Sequence, residues 1–489
     1  MSPTVILAII VVYFAILFLI SFRTAGKADS AAFFSANKES PWYLVAFGMI
    51  GTSLSGLTFI SVPGQVGANS FSYLQLVAGQ LVGYAVVATV LMPMYYRMNL
   101  VSIYTYLERR FGFFSYKTGA FFFLLSRSIG SAGRFYLVIG VLQYAVFDSF
   151  GVPFWVSVML AIGLIWLYTF RGGMKTIIYT DTLQSFFMLV SVGLSIWFVA
   201  SELHTSGPGL VTTVLQSKYS KTIFTDFKTA DFFLKQFIAG AFIAIAMTGL
   251  DQDLMQKNLT CKSIGEAKKN MLWFSLTLFL VNCLFMVLGA SLYLYATARQ
   301  IPLPANSDEL FPMLALKYFS PVAGVVFILG IIAATYASTD SALTALTTSF
   351  CIDIIDFRNR PEAEQNKLRF RTHIGFSVLL FIIIIIFRAS DSAGLIKTIL
   401  KLAGYTYGPL LGLYAFGLFT RFAVRDKLVP LIAVVAPLLT YMLNTNSEAW
   451  FWGYKLGFEI LLINGLITFI GLLAISRGKS AAEAAAARL

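Results

Sequence analysis

Charge is what this chain has least of. Only 12% of its 489 residues are Asp, Glu, Lys or Arg, while 58% are hydrophobic and the mean hydropathy is +0.78. A water-soluble domain needs far more polar surface than this, so a soluble globular fold is excluded. Histidine is scarcer still. His204 and His373 are the only two, both expected in loops, with no metal-ligand spacing and no nucleophile elbow, which leaves membrane-enzyme chemistry without its residues. The three cysteines (Cys261 in a loop, Cys283 in mid-run, Cys351 at the end of a run) form no disulfide framework and no zinc pattern. Met1 to Ile20 lacks a basic start and a small-residue cleavage site, so it reads as a retained span rather than a signal peptide. A continuous polar stripe or filter-like loop, as a channel would want, is also missing.

What is present is a series of apolar runs long enough to cross a bilayer. The fold class expected is an all-α polytopic membrane protein of about thirteen spans. They lie near 3–22, 41–65, 71–98, 117–147, 153–170, 175–200, 232–254, 268–298, 320–352, 371–388, 395–420, 428–445 and 452–476. The formal charge of +13 could suggest nucleic acid, but the basic residues fall in alternate loops, and the positive-inside rule accounts for the excess. With the N-terminus outside, the inner loops and tail hold 24 Lys and Arg, Lys257 among them, against 8 outside. That sets the C-terminus in the cytoplasm of a multi-pass protein of the inner (plasma) membrane. The longest outer loops, 201–231 and 299–319, contain Gly, Pro and Ser and should carry short helices. The alanine-rich tail SAAEAAAARL is set aside as a short helix of uncertain origin.

Thirteen spans parse as one, five, five and two. A block of five is odd, so two such blocks enter the membrane from opposite sides, the condition for an inverted repeat whose first helices break at mid-membrane. The expected division is an extra helix and inner loop at 1–40, a first repeat at 41–200, an outer loop at 201–231, a second repeat at 232–420, two further helices at 421–476 and a tail at 477–489.

The stretch around which the rest is organised is GMIGTSLSGLTFISVPG, Gly48 to Gly64. Its glycines weaken a helix, and Thr52, Ser53, Ser55 and Thr58 compete with the backbone ladder. An unpaired N–H or C=O in hydrocarbon costs several kcal/mol, so a broken span survives only where it lines a cavity or coordinates something. The bland alternative is close packing through small residues. The first helix of the second block offers a weaker counterpart, with Gly240, Thr248 and Gly249 running into Asp251-Gln252-Asp253.

Charges within spans are functional candidates by default. Lys235 and Lys401 lie near span ends and can snorkel. Arg127 and Arg134 sit deep in the fourth span, seven apart and so on one face. Arg127 reads as a structural ion pair, Arg134 as a contact to an anionic solute or to the groups around it. Asp181 and Asp340 are equally out of place. Around Asp340, Ala334, Ala337, Ser338 and Ser341 form a stripe of small and hydroxyl-bearing residues. That stripe either packs against the second span or helps open a pocket in which Ser338 and freed carbonyls offer oxygen to a hard cation such as Na⁺. Phe71 and Gln75, a ring and an amide four apart, read more readily as core than as a binding site.

Several motifs together resemble the sodium:solute symporter family, the sodium-coupled glucose, proline, iodide, vitamin and sialic acid transporters. They are GTSLSGLTFISVPG at 51–64, TFRGGMKTIIYTDTLQ at 169–184, DQDLMQK at 251–257 with the NLTCKSIGEAKKN that follows, AATYASTDSALTALTTSF at 333–350 and YTYGPLLGLYAFGLFTR at 405–421. The resemblance implies the leucine-transporter (LeuT) fold, alternating access and Na⁺ as coupling ion, one or two ions per cycle. It implies a principal Na⁺ site on the backbone oxygens of Gly51, Leu54 and Ala334 and the side chain of Ser338. The family usually has two adjacent hydroxyl residues here; this chain has Ala337 then Ser338, so Thr339 is the candidate substitute. A second cation site, found in some members, falls on Asp181, Asp340 and Ser341, with a proton-coupled variant as its rival because Asp340 stands where a hydroxyl is more common. The solute site falls on Ser55, Thr58, Phe71, Gln75 and Arg134. An arginine on this helix holds the substrate carboxylate in sialic acid members, which favours an anionic solute (a sialic acid or smaller carboxylate) over a neutral sugar. A solute sensor on a transporter fold is the alternative of another class. The partners implied are the solute, Na⁺ and the lipid bilayer, not nucleic acid, with the monomer as working unit.

Overall fold

The computed structural model describes residues 3–24, 30–227, 229–357, 360–389, 395–451, 453–454 and 456–478. The alanine-rich tail and the loop residues Lys27, Lys228, Arg358 and Lys455 lie outside them. The described chain is almost entirely helical, as backbone in hydrocarbon must be. A first helix α1 (Pro3–Thr24) precedes a span split into α2 (Trp42–Ser53) and α3 (Gly56–Asn69), bent by 61°. Then come α4 (Tyr73–Val86), continued through a π turn to Arg97, and α5 (Phe113–Ala145). The long α6 (Phe154–Glu202) holds both spans expected at 153–170 and 175–200. They join at Gly173, whose φ of 52° only glycine adopts easily and whose missing side chain leaves room for the ring of Phe33.

The second broken span is α7 (Phe233–Ala244), a π turn to Gly249, and α8 (Gln252–Asn258), bent by 71°. Behind it run α9 (Ile264–Ala298), α10 (Pro321–Ser349), α11 (Glu362–Ala389), α12 (Leu395–Phe419), α13 (Val429–Thr445) and α14 (Ile460–Ala474). Among the described residues, seven helices and the two bent pairs are long and apolar enough to cross a membrane. The other four expected spans fall on α5, the first part of α6, α12 and α14, which are shorter or diluted by Ser, Gly, Tyr and Arg. The outer loops carry the expected short helices, at Gly207–Gln216 and Leu310–Met313.

Helix α10 is the axis: every residue from Gly330 to Ser349 is buried. It packs on α2, α3, α5, α6, α8 and α11. Helices α4 and α7 approach backbone to backbone, because Gly79 lies against Phe237 O and Gly240 against Leu76 O, where a Cβ would collide. At the end expected to face the cytoplasm, Phe33 and Phe34 are buried with Cys351, Ile352 and Phe357. The Gln256 amide donates to Phe34 O (2.7 Å) and Arg369 lies over the Phe33 ring.

Two sequence expectations are corrected here. His373, assigned to a loop, is buried inside α11 between Thr347 (3.0 Å) and Thr169 (3.3 Å), because that helix begins eleven residues earlier, in a charged turn that leaves the apolar run. Lys257, counted with the inner loops, is only 1% exposed, because Asp251 caps a new helix and carries the chain back into the bundle.

Candidate ion and solute sites

The break between α2 and α3 is made by two residues. Leu54 (φ −90°, ψ 81°) leaves the helix after its N–H reaches Ile50 O, and Ser55 (φ −68°, ψ 168°) is extended before Phe59 N donates to its carbonyl. The carbonyls of Gly51 and Leu54 therefore receive no backbone hydrogen bond across the break. In a dry interior such oxygens want a partner. The Gly51 N–H is held instead by Ser185 Oγ at 2.9 Å.

The break lies directly on α10. A Cβ on Gly51 would stand 3.2 Å from the Ala337 methyl, and one on Gly56 would collide with Thr335 Oγ1. Ser338 Oγ and Thr339 Oγ1 each donate to Thr335 O at 2.9 Å, which leaves their lone pairs free to accept a cation. The break thus meets α10 at Ala337 and Thr335, on the stretch that carries Ala334, Ser338 and Thr339.

The second cluster lies beside it. Asp181 Oδ2 pairs with the ammonium of Lys257, and Thr52 Oγ1 bonds to both, 3.1 Å from the carboxylate. Asp340 Oδ2 accepts from Tyr168 OH (2.7 Å) and Oδ1 from the Ser341 N–H (2.5 Å), while the Ser341 hydroxyl donates to Asp253. Sequence reasoning missed Lys257, Tyr168 and Asp253 here. For Asp253 and Lys257 the signal was DQDLMQK, three charges in seven residues at the close of an apolar run, of which only Lys257 was counted with the inner loop.

Of the two deep arginines, Arg127 is paired with Asp253 and lies 3.8 Å from Asp251, whose carboxylate also accepts from Tyr407 OH. Arg134, half-buried two turns further along α5, has no ion-pair or hydrogen-bond partner among the described residues. One turn beyond it, Leu137, Val141 and Tyr144 line a cavity of about 470 Å³, closed by Leu57 and Ser61 of α3 and by Asp308 and Glu309 of the outer loop. Ser55 is buried at the break and Thr58 half-buried one turn on. Gln75 is engaged elsewhere: its amide donates to Asp231 O (2.9 Å) and Ser72 O (3.2 Å) and accepts from Phe224 N (3.0 Å). Phe71 is buried beneath the same loop, its N–H on Lys221 O at 3.0 Å.

The family model described as "Sodium:solute symporter family" matches residues 33–425. The sodium/sialic acid symporter NanT of Aliivibrio fischeri is 26% identical over 94% of this chain and 89% of its own length. SiaT of Proteus mirabilis, also a sodium/sialic acid symporter, is 25% identical over 94% of each. Among solved structures, the outward-open state of a Na⁺-coupled sialic acid symporter superposes with a TM-score of 0.81 over 96% of this chain and 98% of that one, at 20% identity. Mhp1, a nucleobase-cation-symport-1 family transporter, matches at 0.55 and 13% identity over 93% and 98%. The fold is therefore the LeuT-type transporter fold in a multi-pass membrane protein, a carrier rather than an enzyme, and the chain belongs to the sodium:solute symporter family.

Proposed function

We propose that this chain is a sodium-coupled symporter that imports a small carboxylate-bearing solute of the sialic acid class by alternating access. Its N-terminus faces outward and its C-terminus inward, and the blocks 41–200 and 232–420 move against each other. The break at Leu54–Ser55 supports the ion site: Gly51 O, Leu54 O, Ala334 O and Ser338 Oγ, with Thr339 in reserve, hold one Na⁺. Asp181, Asp340 and Ser341 form a second cation-binding cluster beside it.

The observation that carries the solute assignment is the contrast on α5. Arg127 is neutralised within the protein, whereas Arg134 holds no carboxylate among the described residues. A guanidinium there matches a planar carboxylate of a solute lying among Ser55, Thr58 and the inner end of the cavity. The two bacterial relatives, both sodium/sialic acid symporters, point the same way. The test is counterflow of labelled N-acetylneuraminate in proteoliposomes, with glucose and short monocarboxylates as competitors, in Na⁺ and in choline. Sodium-dependent exchange of a carboxylate that is lost in Arg134→Ala is expected. Exchange of a neutral sugar that survives Arg134→Ala overturns the solute class, and solute binding without any exchange makes the protein a sensor.

A further inference from the structure

The second cation cluster already contains a cation. Asp181 and Thr52 converge on the ammonium of Lys257, which is 1% exposed. Asp181 Oδ1 has no hydrogen-bond partner among the described residues, and among them Lys257 is the one cationic group that the carboxylate pairs with. The neighbouring ligands are committed too: both Asp340 oxygens accept hydrogen bonds, from Tyr168 OH and the Ser341 N–H, and the Ser341 hydroxyl donates to Asp253. The residues that would coordinate a second ion do not fit one while Lys257 is in place.

We propose that the ammonium of Lys257 is itself the second cation, a charge tethered to α8 in the position a second coupling ion would take, so that the carrier moves one Na⁺ per solute. The inference rests on the sodium-symport reading above and specifies its stoichiometry. A lysine suits this role because its head is a compact monovalent point charge with three rotatable donors, close in character to a bound alkali cation. A second Na⁺ on the same carboxylate would stand beside that ammonium in surroundings that screen little, and the two would repel. The tether also does what an exchangeable ion cannot. It ties α8, which follows the second break, to α6 and to Thr52 in the last turn before the first break, one residue from the Gly51 carbonyl. Na⁺ arriving at Gly51 and Leu54 thus meets a break whose other face is already pinned.

The test counts ions. In proteoliposomes the ratio of ²²Na⁺ to solute flux is measured, and on purified protein the sodium dependence of thermal stability is titrated. The wild type should carry about one Na⁺ per solute with a Hill slope of about 1, since the slope is bounded by the number of sites. Lys257→Met, with Asp181 and Thr52 released, should gain a sodium-binding step and raise the slope of the thermal titration above that of wild type. The double variant Lys257→Met with Asp181→Asn removes both charges, should fold, and should return the slope to the wild-type value. If Lys257→Met alone cannot be purified folded, the wild-type flux ratio decides by itself. Two Na⁺ per solute in wild type, or an unchanged slope in folded Lys257→Met, overturns the inference while leaving sodium symport intact. A wild type indifferent to Na⁺ in both assays overturns the symport reading and this inference with it.

Discussion

Between Ser53 and Gly56 the chain leaves helix through Leu54 and Ser55 without a charged side chain, whereas at the second break Asp251 caps the new helix and Asp253 and Lys257 follow within two turns. Both bends are steep, 61° and 71°, and both lie against buried α10. They solve the same problem, a helix end in a dry interior, in opposite ways. The second break closes its own account: Asp251 accepts from Asp253 N and Leu254 N and pairs with Arg127 and Tyr407, while Lys257 reaches back to Asp181. The first leaves the Gly51 and Leu54 carbonyls without a backbone partner across the break. On the reading proposed above, one break is a structural joint and the other the ion site, and four measurements bear on that contrast.

The largest effect should come from the charged break. Arg127→Met leaves Asp253 and Asp251 buried without their guanidinium, and removing one partner of a buried ion pair costs about 3–5 kcal/mol. Thermal unfolding in detergent should show that loss equally in Na⁺ and in choline. A loss confined to Na⁺ buffer would mean that the charged break senses the ion, and the division of labour would fail.

Ser338→Ala probes the neutral break and should behave in the opposite manner. Among the described residues the Ser338 hydroxyl bonds only to Thr335 O of its own helix, so stability in choline should hardly change. The sodium concentration for half-maximal uptake should rise about tenfold or more, the equivalent of about 1.4 kcal/mol of lost coordination. A stability loss in choline with unchanged sodium affinity would make Ser338 a packing residue and remove the main side-chain ligand from the proposal.

Which of these features the sequence revealed follows from how local they are. The spans, the first break and the stripe on α10 are written in composition and spacing, and the motifs that resemble the sodium:solute symporters supplied the LeuT-type fold, so the fold and the meeting of Gly51 with Ala337 of that stripe were legible. Pairings across distant helices were not. Lys257 and Asp181 are 76 positions apart and Arg127 and Asp253 are 126 apart, and no periodicity relates them. The positive-inside rule counts a lysine by its place in the chain, so it assigned Lys257 to water when a buried carboxylate had claimed it. Helical spacing alone grouped Gln75 with Phe71 as core and the family resemblance put both in the solute site; spacing says which residues share a face but not whether that face meets a solute or a loop.

Gln75→Leu carries the smallest expected effect and sharpens the comparison at its outer edge. The Gln75 amide holds Phe224 and Asp231 of the outer loop by two hydrogen bonds to backbone, so its loss should speed amide hydrogen exchange over residues 221–232 and leave solute affinity within about twofold. A tenfold loss of affinity would instead bring Gln75 into the solute path and extend the neutral break outward onto α4. The same loop supplies a pH control. Burial raises the carboxyl of Asp231 above the usual carboxylate range, partly offset by the hydroxyl of Ser72. An acid whose folded pKa is raised lends its stability at low pH and loses it as pH rises through the folded value. Protection of the loop, once corrected for the intrinsic pH dependence of exchange, should therefore fall as pH increases through that range, and Asp231→Asn should flatten the profile. If the flattening occurs without any change in sodium or solute affinity, the loop is a cover over α4 and the proposed solute site extends no further outward than Thr58.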